Sequence, residues 1–348
     1  MGSGNVAEQK ISIFLDDNLA NNADSNFGSD LIGFHFQGIN WRGFELHRRD
    51  TTAGSWQLIG AFNNQVVSHA FTRMGASLKS GSATGPYLQF NECQDWYAIL
   101  VSGETTVVRK LRTNSEGVFS NSATTKQAIL QIDEPVHSDP TSGTMHLIPN
   151  SCTVIADLQG NTGSAIRLTI NAQKTAENYL MMGNMSIGSV VIPAYQYSRG
   201  RTISFDSGVA VDIQDDGTQR VRDNQAGGRA FRFAWSEGVD ITDLFADPAS
   251  PDYYKATTAG SSVPIAAYGS APTAMMGIIR HLQGPKTPLV YLPKIPKMSS
   301  PTNTLLLNRR MQHALCTLEG EISIENILGD ELDNELMRVA TVQLREVR

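Results

Sequence analysis

The stretch that most constrains the fold lies at residues 186–235, where apolar residues recur at every second position. The alternation occupies three segments, at Ile203 and Phe205, at residues 209–213 and at residues 231–235. A period of two places the apolar side chains of a segment on one face of a strand. The Asp216-Gly217 pair after the second segment is typical of a tight hairpin turn. The sequence therefore predicts sheet here, and no catalytic motif accompanies it.

The first half of the chain also carries apolar runs of strand length. They begin at Phe34, Phe44, Trp56, Trp96, Thr153 and Ile166. The 30 glycines and 14 prolines, with many Asn, Ser and Thr residues, supply turns between them. These features predict a β-sandwich. Residues 110–144 are richer in Ser, Thr and Asn, which favours a long loop or a peripheral hairpin.

At 348 residues the chain exceeds what one hydrophobic core usually organises, so two domains are expected. We place the boundary near residues 183–193, which gives a jelly-roll sandwich over residues 1–185 and a second β-rich domain over residues 186–348. One main helix is predicted at residues 272–283, where apolar residues follow helical spacing and Gly284-Pro285 supplies a stop. The chain is expected to end in two strands joined by an acidic loop at residues 329–335. The predicted fold class is therefore mostly β, with one main helix in the second domain.

Composition argues against several classes of partner. The chain has 28 basic and 34 acidic residues, a net charge of −6 at pH 7, which gives no electrostatic reason to expect direct nucleic-acid binding. No segment approaches the roughly 20 apolar residues of a membrane span, and the first residues lack the apolar core of a signal peptide. Cys93, Cys152 and Cys316 are odd in number and far apart, so we expect buried free thiols rather than a disulfide framework or metal ligands.

The sequence offers no clear catalytic or cofactor site. None of the seven histidines stands in a metal-binding spacing, residues 183–188 miss the spacing of a serine nucleophile elbow, and the glycine-rich pieces lack what a phosphate loop needs. A pair of glycosidase carboxylates cannot be identified among acids that mostly occupy turns. Asp212, Asp215 and Asp216 fit a turn better than a calcium loop. We expect no enzymatic activity, no metal and no cofactor.

Arginines concentrate in the region of alternating strands. They are Arg199, Arg201, Arg220, Arg222, Arg229 and Arg232. Arginine is enriched in protein interfaces, so these residues could pair with acids of a neighbouring subunit. The interleaved acids Asp206, Asp212, Asp216 and Asp223 allow a different interpretation, a self-neutralising sheet face exposed to solvent. Both interpretations stay open.

Aromatic residues of the first domain also allow two roles. Trp41, Trp56, Trp96, Tyr87 and Tyr97 could form a sugar-stacking platform on the sandwich. Large aromatics more commonly anchor the core of a sheet, and core packing is the expectation.

Two parts of the chain resemble known families. Residues 152–157, 166–170 and 179–190, with the Arg167-Leu168 pair as the main likeness, are similar to the closing strands of galactose-binding-like, discoidin-type jelly rolls. Residues 197–240, followed by residues 289–293 and 338–342, resemble tail-tip proteins of long-tailed bacteriophages (siphoviruses), which are structural proteins similar to the distal tail protein.

The tail resemblance implies a ring that joins the tail tube to the tip and its receptor-binding parts. The resemblance implies that the partners are further copies of the chain, six in a ring by analogy, together with the tail tube protein and the hub or tip proteins. The protein would be assembled in the host cytoplasm and located in the virion. The family has no catalytic residue to transfer. The order of domains differs, because the carbohydrate-module-like domain comes last in the best-known distal tail proteins.

Charge complementarity suggests where such a ring would close. A head-to-tail ring needs contacts between unlike patches, and the arginine-rich strands complement the acidic C-terminal loop. The candidate interface residues are Arg199, Arg201, Arg220, Arg222 and Arg232 on one side and Asp330, Glu331 and Asp333 on the other. Two other functions stay open: a fibre or accessory adhesin that binds a host-surface glycan through the jelly roll, and a polysaccharide depolymerase.

Overall fold

A computed structural model describes residues 4–14, 31–49, 54–80, 96–112, 129–157, 165–189, 202–205, 209–213, 219–223, 228–240, 255–258, 261–264, 288–293, 304–328 and 336–347. Every regular element within these ranges is a β-strand, which confirms the mostly β fold class. The helix predicted at residues 272–283 lies outside the described residues and stays a prediction.

The strands follow one another at short intervals along the chain. The first fifteen are β1 Gly4–Val6, β2 Gln9–Phe14, β3 Leu31–Gln37, β4 Gly43–Arg49, β5 Gln57–Asn63, β6 Val67–Met74, β7 Ser77–Ser80, β8 Tyr97–Ser102, β9 Thr105–Lys110, β10 Ile129–Gln131, β11 Ser142–Ile148, β12 Ser151–Asp157, β13 Ala165–Ile170, β14 Gln173–Thr175 and β15 Asn184–Ser189. The others are β16 Thr202–Phe205, β17 Val209–Ile213, β18 Gln219–Asp223, β19 Arg229–Asp240, β20 Lys255–Thr258, β21 Ser261–Pro264, β22 Leu289–Tyr291, β23 Thr304–Leu307, β24 Ala314–Leu328 and β25 Leu336–Glu346.

The chain divides into two compact units. The first contains β1 to β14, most of β15, and β23; the second contains β16 to β22, β24 and β25. The segment Pro293–His313 therefore belongs to the first unit, whereas a single boundary near residue 186 had assigned it to the second. The physical reason is strand pairing, because β23 completes its hydrogen bonds on β12, with Thr153 opposite Leu307.

Two four-stranded sheets form a sandwich in the first unit. One has the order β2-β13-β4-β5 and the other the order β15-β3-β12-β23. Aromatic rings fill the space between them: Phe36, Trp41 and Phe44 meet edge-on with centroids 4.9–5.7 Å apart, and Phe44 stacks on Phe62 at 5.1 Å. Such pairs add specific geometry to a large buried apolar area. The alternation in β3 and β4 thus has the predicted effect of directing one set of side chains into a shared core.

A six-stranded antiparallel sheet, here called the curled sheet, is inserted between β5 and β12. Its strand order is β10-β7-β6-β11-β8-β9. The two edges meet, because Leu111 after β9 bridges to Ile132 after β10. The amides of Arg112 and Asp133 donate across this bridge, each at 2.8 Å. The enclosed core comprises Val67, Phe71, Leu78, Trp96, Ala98, Leu100, Leu111, Leu130, Ile132, Met145 and Leu147.

The curled sheet corrects one expectation. Residues 110–144 were predicted as a loop or peripheral hairpin, yet Leu111, Leu130 and Ile132 are fully buried core residues. Leu130 and Ile132 are two residues apart and therefore share one face, so this short segment can pair with β7 and bury that face. Residues 113–128 of that region lie outside the described residues.

The second unit is built on one five-stranded sheet of order β16-β19-β25-β24-β22. β24 and β25 pair antiparallel, which confirms the two C-terminal strands predicted from alternation. The hairpin predicted around Asp216-Gly217 is confirmed by the antiparallel pairing of β17 with β18, although the turn residues themselves are not described. Phe231 is fully buried, and its ring lies 4.9 Å from that of Tyr291.

Candidate functional site on the outer face of the sandwich

The predicted interface residues are only partly described. Arg199, Arg201, Asp330, Glu331 and Asp333 lie outside the described residues. Arg220 and Arg222 lie on β18, where Arg220 pairs in register with Asp212, and Arg222 with Ala210. Opposite charges at paired positions keep the self-neutralising interpretation open beside the interface interpretation.

The arginines of β19 are engaged within the subunit. Arg232 is exposed and donates from Nε and Nη2 to Oε1 of Gln343, at 3.2 and 2.8 Å. Arg229 is buried, and its backbone N, Nε and Nη2 donate to the Glu346 carboxylate at 2.9, 3.0 and 2.7 Å. This pairing removes Arg229 from the residues that sequence analysis offered to a neighbouring subunit, because its charge is already satisfied internally.

Among the candidate aromatics that the structure describes, Trp56 alone lies outside the core. Trp41, Trp96 and Tyr97 are buried, in agreement with the packing interpretation. Tyr87 lies outside the described residues. Trp56 is half-buried and immediately precedes β5, on the sandwich rather than inside it.

Sheet register brings the neighbours of Trp56 together. Within the sheet β2-β13-β4-β5, Phe44 and Leu46 point into the sandwich core, so the alternate residues of β4 point to the opposite side, here called the outer face. Cross-strand pairing then fixes the other members of this face, because directly opposite residues share a side. They are Glu45, His47 and Arg49 of β4, Arg167 and Thr169 of β13, and Lys10 and Ser12 of β2.

Two arginines of the outer face share one indole ring. The guanidinium carbon of Arg167 lies 4.5 Å from the Trp56 ring centroid, and that of Arg49 lies 5.0 Å from it. A cation over an aromatic face contributes about 0.5–1 kcal/mol at exposed sites. The contact orients both guanidinium groups without neutralising their charge.

Several polar atoms of the outer face carry no hydrogen bond to a described residue. They are Arg167 Nε, His47 Nδ1 and Thr169 Oγ1, and all three are buried. Buried polar atoms are nearly always hydrogen-bonded in folded proteins, so these three are exceptions within the described ranges.

The two acids on or near the outer face contact basic residues of that same face. Glu45 Oε2 lies 3.4 Å from His47 Nε2, and Glu8 Oε1 lies 3.0 Å from Lys10 Nζ. Burial lowers the pKa of His47, and the positive charge of Arg167 lowers it further. His47 is therefore neutral at pH 7, and its ring nitrogens can act as one donor and one acceptor.

The group of this face best suited to contact an anion is the Arg167 guanidinium, because it forms no ion pair with any described residue and matches the geometry of carboxylate, sulfate or phosphate oxygens. Sequence reasoning missed the site because Arg49 and Arg167 are more than a hundred residues apart. The one available signal was Arg167 itself, a charged residue between the buried residues Ile166 and Leu168.

A second polar cluster lies on the other sheet of the sandwich. His35 Nδ1 lies 2.9 Å from Thr153 Oγ1, His313 Nε2 lies 3.3 Å from Ser151 Oγ, and the two imidazole rings meet edge-on at 5.3 Å. Both histidines are only 3% exposed. A serine beside a histidine can act as a nucleophile and base, but burial of both rings favours packing and fastens Pro293–His313 to the sandwich.

The described residues contain no candidate metal site and no candidate membrane helix, and the chain matches no known family model. In the described ranges, no three His, Cys, Asp or Glu residues are grouped so that they could hold a metal ion. No helix with the length and apolarity of a membrane span occurs in the part of the chain that the structure describes. No known family model matches the chain, and no curated protein matches it significantly in sequence.

Proposed function

We propose that this chain is a structural component of a bacteriophage tail tip, which forms a ring joining the tail tube to the distal tip. The observation that carries the proposal is the resemblance of residues 197–240, 289–293 and 338–342 to tail-tip proteins. These residues supply β16 to β19, β22 and β25, and so most of the sheets of the second unit. The ring function is accordingly assigned to that unit.

The geometry of the second unit is compatible with a charged contact between subunits. Arg220 and Arg222 lie on the β17–β18 hairpin. Asp330, Glu331 and Asp333 lie outside the described residues, in the chain between Leu328 and Leu336, which pair with each other. Complementary charges on the two sets could fix the register between neighbouring copies.

Charge reversal tests this contact. Replacing Asp330, Glu331 and Asp333 with Lys should weaken assembly while leaving the subunit folded, because the proposed ion pairs join two subunits and surface ion pairs contribute little to the stability of one subunit. The matched control reverses Glu104, Asp133 and Glu134, three exposed acids of the first unit. Light scattering after size-exclusion chromatography measures the assembly of both variants, and circular dichroism measures their fold. Normal assembly of the loop variant would contradict the proposed contact.

A glycan-binding adhesin is the second candidate function. The observation that favours it is Trp56, which lies on the outer face of the sandwich with two arginines rather than in the core. Binding of an acidic host polysaccharide by a protein that forms no ring would support this alternative.

A further inference from the structure

A serine and a histidine meet on the outside of the curled sheet, the side away from its enclosed core. Ser68 of β6 lies directly opposite His146 of β11 in the strand register. Val67 and Leu147, their neighbours in the chain, belong to the enclosed core, so Ser68 and His146 point to the other side of the sheet. Ser68 Oγ lies 2.7 Å from His146 Nδ1, which is within hydrogen-bond range.

A third side chain, Gln65, indicates the direction of this hydrogen bond. Gln65 Nε2 donates to Ser68 Oγ at 2.9 Å. A hydroxyl that accepts one hydrogen bond still has its own hydrogen to donate, and His146 Nδ1 accepts it when the imidazole carries its proton on Nε2. In this arrangement the histidine can remove the hydroxyl proton as the serine attacks an electrophile.

The serine and the histidine differ in exposure in the way that such a reaction needs. Ser68 is exposed and can be reached from solvent. His146 is half-buried, because on its other side it lies opposite Ile99, a buried member of a second apolar cluster. Burial lowers the pKa of His146, and the positive charge of Arg42 lowers it further. The imidazole is therefore neutral at pH 7 and can take up a proton.

We propose that Ser68 is a nucleophile that accepts an acyl group from a carboxylic ester, with His146 as its base. Ser68 Oγ attacks the carbonyl carbon while its proton passes to His146 Nδ1, and the C=O electron pair moves to the carbonyl oxygen. Collapse of this intermediate breaks the bond to the alcohol oxygen, which takes the proton from His146 and leaves. Water then attacks the acylated serine by the same route, which releases the carboxylic acid and restores the hydroxyl.

Two further groups suit the negatively charged intermediate. Its anionic oxygen is bonded to the same carbon as Ser68 Oγ, so Gln65 Nε2, which already contacts Oγ, is close enough to donate to it. The positive charge of Arg42, which acts on His146, also favours an anion at this place.

The surroundings of Ser68 favour a short acyl group. The neighbouring side chains on the same side are small and exposed: Ala70 is two residues further along β6, and Thr144 lies opposite Ala70 on β11. A long acyl chain would bury little apolar area there, and hydrophobic binding scales with that area. Acetyl esters are therefore the expected substrate class. This activity departs from the expectation that the chain is no enzyme, since a pair 78 residues apart leaves no sequence motif, and it does not depend on the proposed ring.

Labelling of the full chain with a fluorophosphonate, which reacts with activated serines, tests the nucleophile, and peptide mass spectrometry locates the label. Exposed Ser142 on the same side of β11 is the matched internal control, because its partner in register is Thr72 rather than a histidine. Ser68 should be labelled at least about 100-fold faster than Ser142, the scale of general-base catalysis. Equal labelling of the two serines in the wild-type chain would overturn the proposal.

Variants test the base and the turnover. His146→Gln should slow both the labelling of Ser68 and the hydrolysis of p-nitrophenyl acetate by about 100-fold or more. Ser68→Ala should remove the hydrolysis that Ser142→Ala retains, and circular dichroism checks the fold of each variant. Unchanged labelling of Ser68 in a folded His146→Gln protein would overturn the proposal.

Nitrogen-15 NMR of the wild-type chain provides a measurement that needs no variant. His146 should carry its proton on Nε2 at pH 7, because Nδ1 accepts from Ser68 in the proposed arrangement. A proton on Nδ1 would overturn the role of His146 as the base. Faster hydrolysis of p-nitrophenyl octanoate than of the acetate would overturn the assignment to short acyl groups.

Discussion

The buried ion pair between Arg109 and Asp139 is the residue-scale feature with the clearest consequence for stability. Arg109 Nε donates to Asp139 Oδ2 at 2.8 Å, and the two residues are 4% and 3% exposed. Asp139→Asn leaves the guanidinium buried without its counter-ion, so we expect a loss of about 3–5 kcal/mol at pH 7. Urea denaturation followed by tryptophan fluorescence measures it, with exposed Asp133→Asn as the control.

The same pair sets a direction for the pH dependence. Burial alone would raise the pKa of Asp139, but the hydrogen bond from Arg109, the Val136 amide and the charges of Arg109 and Arg73 outweigh it and hold the pKa below 3.8. The folded state therefore binds this proton less readily than the unfolded state. The stabilisation is complete above about pH 4 and is lost as pH falls through the lower, folded-state pKa. The difference in the free energy of unfolding between wild type and Asp139→Asn should therefore decrease as pH falls below about 4. A difference that increases would contradict the proposed role of the ion pair.

Cysteine reactivity is a second residue-scale prediction. Burial raises the pKa of Cys152, and burial together with the Glu346 charge raises that of Cys316 to about 12. Both are free and buried thiols, as the sequence predicted. Because the thiolate is the reactive form, neither should be alkylated in the native protein at about pH 8, and both should react in urea. Peptide mass spectrometry measures the extent of alkylation at each cysteine. Rapid alkylation of Cys152 in the native protein would contradict its burial.

At the scale of residues, the sequence predicted which aromatic residues are buried better than it predicted which residues contact each other. The burial of Trp41 and Trp96 followed from their size. The contacts of Trp56 with Arg49 and Arg167 did not, because they depend on how β4 and β13 pair. Sequence alone does not fix that register.

At the scale of elements, two adjacent residues of β10 test whether the curled sheet is closed. Leu130 is fully buried, whereas its neighbour Ile129 is 49% exposed. Leu130→Ala should cost about 2–5 kcal/mol through lost burial and the cavity left behind. Ile129→Ala, the matched control, should cost less than about 1 kcal/mol. Equal costs in urea denaturation would mean that β10 does not close the sheet.

Strands were predictable where alternation was local, as in β3, β4, β19 and β25. The position of β23 was not predictable, because nothing in the sequence of Thr304–Leu307 indicates which strand it pairs with. Its partner lies about 150 residues earlier in the chain. Closure of the curled sheet was missed for a related reason. Leu111 and Ile132 bridge across a polar stretch that resembles a loop by composition.

At the scale of the whole molecule, the residues of the proposed assembly contact all belong to the second unit. Charge reversal of Glu104, Asp133 and Glu134 in the first unit should therefore leave assembly unchanged. Loss of assembly in that variant would mean that the first unit takes part in the contact.

Electron microscopy of the purified full-length chain tests the central proposal most directly. The account predicts closed rings with rotational symmetry, six-fold by analogy with the tail family, and single subunits for the Asp330, Glu331 and Asp333 reversal. Wild-type particles that remain single subunits at every concentration examined, or that grow into open filaments, would contradict the assignment as a tail-tip ring protein.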